Sequence, residues 1–206
     1  MKPESLIAEI IKGDQRSLAR AITTIENRQP GSEDILQALP NKNMSHLVGI
    51  TGPPGAGKSS LINALLNKLA GSKKVAVLAV DPTSPFTHGS LLGDRLRMSE
   101  HFNNKNVFIR SLATRGALGG LSASAFEIAD ILAATGFDYV FIETVGVGQS
   151  EVEIASLADT TVVVLNPESG DDVQMLKSGI VEIADIFVVN KSDRNGADIM
   201  VKYIQD

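Results

Sequence analysis

LVGITGPPGAGKSSLINALLNKLA, residues 47–70, is the stretch whose reading decides the fold. LVGIT is a short apolar run of the kind that forms a buried strand, and SSLINALLNKLA has helical periodicity. Between them Gly52-Pro53-Pro54-Gly55-Ala56-Gly57-Lys58-Ser59 matches GxxxxGK(S/T). That pattern binds phosphate for physical reasons. Its glycines let the backbone wrap a phosphate with N–H groups, and the helix start adds partial positive charge. Lys58 then reaches the β and γ phosphates and Ser59 ligates Mg²⁺. A Gly/Pro-rich turn before a chance lysine would lack the flanking strand and helix. With Ser60 the octet forms the phosphate-binding set, and by itself it leaves kinase, ATPase and GTPase open.

Working outward, the same alternation repeats. LVGIT (47–51), VAVLAV (75–80), VFIRS (107–111), YVFIE (139–143), TVVVL (161–165) and IFVVN (186–190) are rich in Val and Ile with little period-two alternation. Parallel strands covered by helices on both faces have that appearance. Residues 58–70, 89–102, 121–135 and 171–184 carry helical periodicity. The expectation is an α/β fold of the P-loop NTPase type: a doubly wound, mostly parallel sheet with helices on both faces and ligands at the strands' carboxyl ends. Residues 1–44 read as an N-terminal helical extension, with two helices between Ser5 and Asn27 broken at Gly13-Asp14 and a short third one through Ile35 and Leu39. The nucleotide domain then runs over 45–206.

Composition removes several alternatives. The 206 residues carry 19 Lys+Arg against 24 Asp+Glu, a net charge of −5, so nothing marks a surface for nucleic acid or an anionic membrane. With no cysteine and 3 histidines, disulfides, thiolate metal sites and cysteine nucleophiles are excluded. No apolar run approaches the ~18 residues of a membrane span. The expectation is a cytoplasmic protein without a targeting segment.

Two further motifs follow in chain order. Glu143-Thr144-Val145-Gly146 ends the strand YVFI. A strand-end carboxylate can hold Mg²⁺ through water, and Gly146 can offer its N–H to the γ-phosphate and sense it. Gln149 is a weaker candidate for positioning water. Asn190-Lys191-Ser192-Asp193 matches NKxD. The Asp193 carboxylate can accept from guanine N1–H and N2–H₂, whereas adenine would leave it unpaired at a cost of roughly 3 kcal/mol or more when buried. Asn190 can contact the base edge or tie this loop to residues 52–59, and the Lys191 stem can cover the base plane. Together the three motifs point to GTP. Asp81, before Pro82-Thr83-Ser84, could equally be an Asp-Pro turn, and Asp94 a solvated helix residue.

The chain resembles the methylmalonyl-CoA mutase-associated GTPases, the MeaB/ArgK-like family of P-loop metallochaperone-type GTPases. The resemblance is carried by VGITGPPGAGKSSLINAL, VAVLAVDPTSPFTHGSLLGDRLRM, FIRSLATRGALGGLS, FDYVFIETVGVGQSEVEIASLAD and SGDDVQMLKSGIVEIADIFVVNKSD. It implies that Asp81, Asp94 and Glu143 surround Mg²⁺ and the γ-phosphate, with Lys58, Asp94, Glu143 and Gly146 taking part in catalysis. It implies switch segments at 85–97 and 143–153, and a further one through Asp171, Asp172, Gln174 and Lys177 that relays nucleotide state to the mutase. It also implies a chaperone of a cobalamin-dependent acyl-CoA mutase, coupling GTP hydrolysis to cofactor loading and protection. Adenosylcobalamin then enters only through that partner.

Two departures from the family pattern stand out. His88 occupies a position where the family commonly has glycine, and family members continue beyond NKSD with another strand, a second guanine-contacting loop and helices used for homodimerisation. The chain is therefore expected to be truncated at its C-terminus. The alternatives are a nickel-insertion-type GTPase, disfavoured by the lack of cysteine, and a hydrolysis-deficient interaction fragment.

Overall fold

The computed structural model describes residues 3–40, 45–81, 98–113, 121, 123–144, 150–167 and 180–205. Three helices open the chain: α1 (Pro3–Ile11), α2 (Gln15–Glu26) and α3 (Ser32–Gln37). The remainder runs β1 (His46–Thr51), α4 (Lys58–Leu69), β2 (Val75–Asp81), β3 (Val107–Ala113), α5 (Ala123–Ala133), β4 (Tyr139–Thr144), α6 (Ser150–Leu157), β5 (Thr160–Leu165), β6 (Ile186–Val189) and α7 (Ala197–Gln205). All six strand segments read from the sequence are present, and the chain breaks between α1 and α2 at Gly13, whose φ of 91° suits glycine. The Asp14 carboxylate caps α2 by accepting from Ser17 N.

Every pairing in the sheet is parallel, in the order β3-β2-β4-β1-β5-β6 among the described residues. β4 thus lies between β1 and β2, although the chain visits β2 first. Alternate residues of each strand feed opposite faces. Ala76, Leu78, Val80, Val140 and Ile142 pack with α2 and α5, while Val75, Val77 and Phe141 pack with Ile62 and Leu66 of α4. The first face also takes in Leu6, Ile7, Ile10, Leu18, Ile22 and Ile25, so the N-terminal helices share one apolar core with the sheet. Gly49 lies under α6, where a Cβ would come within 2.7 Å of Ile154 Cγ1.

The helical readings of 89–102 and 171–184 fall mostly outside the described residues. What is described there is a 3₁₀ turn at Ser99–His101 and another at Ile180–Ile183. Two helices have no counterpart in the sequence reading. α6 has a weak amphipathic signal, with Ile154 alone buried at full depth among its described side chains, and α7 hides Ala197 and Met200 while exposing Ile199 and Tyr203.

Candidate nucleotide-binding site

The site is assembled at the carboxyl ends of β1, β4, β5 and β6. β1 ends at Thr51, and the chain turns through Gly52 at φ 136°, where a Cβ would lie 2.1 Å from the carbonyl oxygen of Val164. No side chain fits that approach. Gly57, at φ 98°, precedes α4, and a Cβ there would lie 2.1 Å from Asn190 Nδ2. Two of the glycines predicted for a phosphate loop, Gly52 and Gly57, are thus constrained here by neighbouring elements as well as by any ligand.

Lys58 opens α4 with only 6% of its surface exposed, and its Nζ donates to the carbonyls of Gly52 (2.8 Å) and Pro53 (3.0 Å). The ammonium is therefore held inside the curve of the loop, at the start of a helix, where the helix dipole favours an anion. Ser59 and Glu143 meet 84 residues apart: the hydroxyl donates to Oε1 at 2.7 Å, and both residues are buried. A hydroxyl and a carboxylate this close form an all-oxygen donor pair of the type that suits a hard cation such as Mg²⁺.

β6 delivers the third part. Asn190 N donates to Leu165 O at 2.8 Å, and Asn190 Nδ2 donates to Ala56 O at 2.7 Å, tying this loop to the phosphate loop. Lys191 adopts φ 54°, and its Nζ donates to Gly55 O at 2.9 Å. Of the two roles the sequence offered Asn190, the tie between the loops is a contact the structure contains; Lys191 reaches the same loop, which its sequence reading did not anticipate. Pro54, Gly55, Ser60 and Asp193 are exposed, whereas Pro53 and Ala56 are buried. Asp81 closes β2, but its side chain lies outside the described residues. Asp94, Gly146, Gln149, His88, Asp171, Asp172, Gln174 and Lys177 lie outside them too.

The sequence reading also passed over Thr51 and Thr144. Their hydroxyls are hydrogen-bonded at 2.9 Å beneath the loop, both at 1% exposure or less. The available signal was a threonine as the last residue of each of two apolar strands.

A profile described as methylmalonyl Co-A mutase-associated GTPase MeaB matches residues 18–206. The chain belongs to the MeaB family. Within it, a putative GTPase of Pyrococcus horikoshii is 54% identical over 202 residues, which are 97% of this chain and 64% of that protein. GTPase ArgK of Escherichia coli is 40% identical, covering 92% of this chain and 60% of its own. A Caenorhabditis elegans protein named methylmalonic aciduria type A homolog, mitochondrial, is also 40% identical and is covered over 52% of its length. The MeaB-family chain thus spans less than two thirds of these relatives. Among solved structures, one titled LAO/AO transport system kinase superposes with a TM-score of 0.73 at 29% identity, over 99% of this chain and 62% of that one. The hydrogenase maturation factor HypB of Archaeoglobus fulgidus, at TM-score 0.56 and 18% identity over 92% of this chain and 85% of that one, shares the fold.

Proposed function

We propose that the chain is the nucleotide-binding part of a Mg²⁺-dependent GTP hydrolase that serves a cobalamin-dependent acyl-CoA mutase, coupling GTP turnover to loading and protection of the mutase cofactor. The observation that carries the nucleotide half is the convergence of Lys58, the Ser59–Glu143 pair and the Asn190–Ala56 tie on one loop at the strand ends. Family membership supports the mutase half.

In this reading the loop N–H groups and Lys58 hold the β and γ phosphates, and Ser59 and Glu143, with Asp81 and Asp94, hold Mg²⁺. The ion would supply charge neutralisation on the phosphate oxygens. Asp193 reads guanine, Gly146 senses the γ-phosphate, and Asp171, Asp172, Gln174 and Lys177 relay nucleotide state to the mutase. Residues 1–44 act as an extension of the 45–206 nucleotide domain in the cytoplasm, and a homodimer would need the helices that family members carry beyond NKSD.

Titration with a fluorescent GDP analogue, paired with GTP turnover, tests this reading. Lys58→Ala and Ser59→Ala should both abolish turnover, and raised Mg²⁺ should partly rescue only Ser59→Ala. Equal rescue of both, or of neither, counts against the assigned roles. Lys177→Ala should leave intrinsic turnover in place while lowering its stimulation by the mutase, a coupling of about 1–3 kcal/mol.

A further inference from the structure

We propose that Thr51 and Thr144 are positioning residues that set the Mg²⁺-dependent part of nucleotide binding, an inference that rests on the reading of Ser59 and Glu143 as metal ligands. The main-chain pairing of β1 with β4 runs from His46↔Tyr139 to Ile50↔Glu143. One residue further on, Thr51 keeps its pairing with Val163 of β5 and Thr144 its pairing with Val80 of β2, while the register between β1 and β4 has ended. At that point the Thr144 hydroxyl donates to Thr51 Oγ1 at 2.9 Å. A side-chain bond takes over where the ladder between β1 and β4 stops.

Its place in the chain gives it leverage. From Thr51 the backbone passes through the phosphate loop to Ser59; Ser59 bonds Glu143, Glu143 is covalently joined to Thr144, and Thr144 bonds back to Thr51. This is a closed circuit with two hydrogen bonds, one between the proposed ligands and one at its base. Loosening the base lets the two strand ends separate and spoils the spacing of the ligand pair.

Packing alone does not call for hydroxyls here. Ile142, two residues before Thr144 and so on the same face of the sheet, is apolar and fully buried, and Val has nearly the shape of Thr. A buried hydroxyl is costly unless bonded, so the two that face each other here satisfy one another and fix the separation of the strand ends.

The experiment measures affinity for a fluorescent GDP analogue with Mg²⁺ and with EDTA, alongside urea unfolding, for Thr51→Val, Thr144→Val, the double variant and Thr144→Ser. Each single Val variant should lose about tenfold of the affinity gained from Mg²⁺ while changing less than about twofold in EDTA. The double variant should lose no more than either single one, because one bond is removed in all three. It should also recover much of any lost stability, since no hydroxyl is left facing an apolar partner. Thr144→Ser, which keeps the donor, should behave as the parent.

An unchanged Mg²⁺ gain in the Val variants, or an equal loss in EDTA, overturns the inference. Ser59→Ala and Glu143→Gln run in parallel separate the two levels. If they lose the Mg²⁺ gain and the Val variants keep it, only the threonine role fails. If they too keep it, the ligand assignment fails and the threonine role with it.

Discussion

At the amino ends of the strands three aspartates repeat one arrangement, whereas at the carboxyl ends, among the described residues, side chains from separate segments converge on one loop. Asp138, Asp159 and Asp185 each directly precede a strand (β4, β5 and β6), and each carboxylate accepts from a backbone N–H in the adjoining element. The acceptances are Lys74 N at 2.8 Å, Leu47 N at 2.8 Å and Thr161 N at 2.7 Å. Each joins an incoming strand to the start of its neighbour and satisfies a donor that the ladder has not yet reached. At the other end, Lys58, Ser59, Asn190 and Lys191 bond to backbone carbonyls of the phosphate loop or to Glu143. The contrast teaches a division of labour within one sheet: the amino end is built to hold strands together, the carboxyl end to hold a loop open in one shape.

The comparison predicts that damage at the two ends registers in different measurements. The largest effect is expected at the carboxyl end from Asp193→Asn, which puts a donor where guanine needs an acceptor. GTP binding should weaken by roughly 3 kcal/mol, with XTP becoming the preferred nucleotide because its 2-carbonyl oxygen can accept from the new amide. Competition of GTP, ATP and XTP against a labelled nucleotide checks this, and urea unfolding of the free protein should be unchanged.

Gly57→Ala comes next. Its φ of 98° is strained for alanine, and the new Cβ would displace Asn190 Nδ2 from Ala56 O, so guanine-nucleotide affinity should fall by about 2 kcal/mol. Asn190→Ala made alone should reproduce part of that loss; if it reproduces none, the tie between the loops is not what the glycine protects.

Crossing to the amino end reverses the readout. Asp159→Ala leaves Leu47 N without its carboxylate and should lower the urea unfolding free energy by about 1 kcal/mol. Nucleotide affinity of the folded protein should stay the same. A fall in affinity matching that at Gly57 would break the proposed division.

The smallest effect belongs to Asp138, whose carboxyl is held below its ordinary value of 3.8, first by the Lys74 backbone N–H and then by the Lys73 ammonium. A depressed carboxyl contributes stability that is present above its unfolded value and is lost as pH falls through the folded one. Because the side chain is 38% exposed, solvent screening limits the contribution to less than about 1 kcal/mol. Asp138→Asn should therefore be slightly less stable than the parent near neutrality, with the difference vanishing on acidification. A difference that grew on acidification would reverse the sign.

The sequence by itself determined the six strands and the chemical types. Runs such as VAVLAV and TVVVL are too uniformly apolar for a half-exposed strand, and GPPGAGKS after LVGIT fixes a phosphate loop, since glycine conformation and helix-start charge are local properties. Family motifs then supplied expectations for acids such as Asp94 that spacing could not single out. Only the tertiary structure decided which distant residues become neighbours. β4 enters between β1 and β2, which brings Glu143 to Ser59 and Thr144 to Thr51. β6 arrives beyond β5, so that Asn190 reaches Ala56 across 134 positions of chain. The three aspartates at the amino ends were equally illegible, because an aspartate before a strand is an ordinary loop residue until its neighbour is known. The physical reason is common to all of these: backbone preference acts over a few residues, while a hydrogen bond between strand ends depends on lateral order, which the crossovers of the folded chain set.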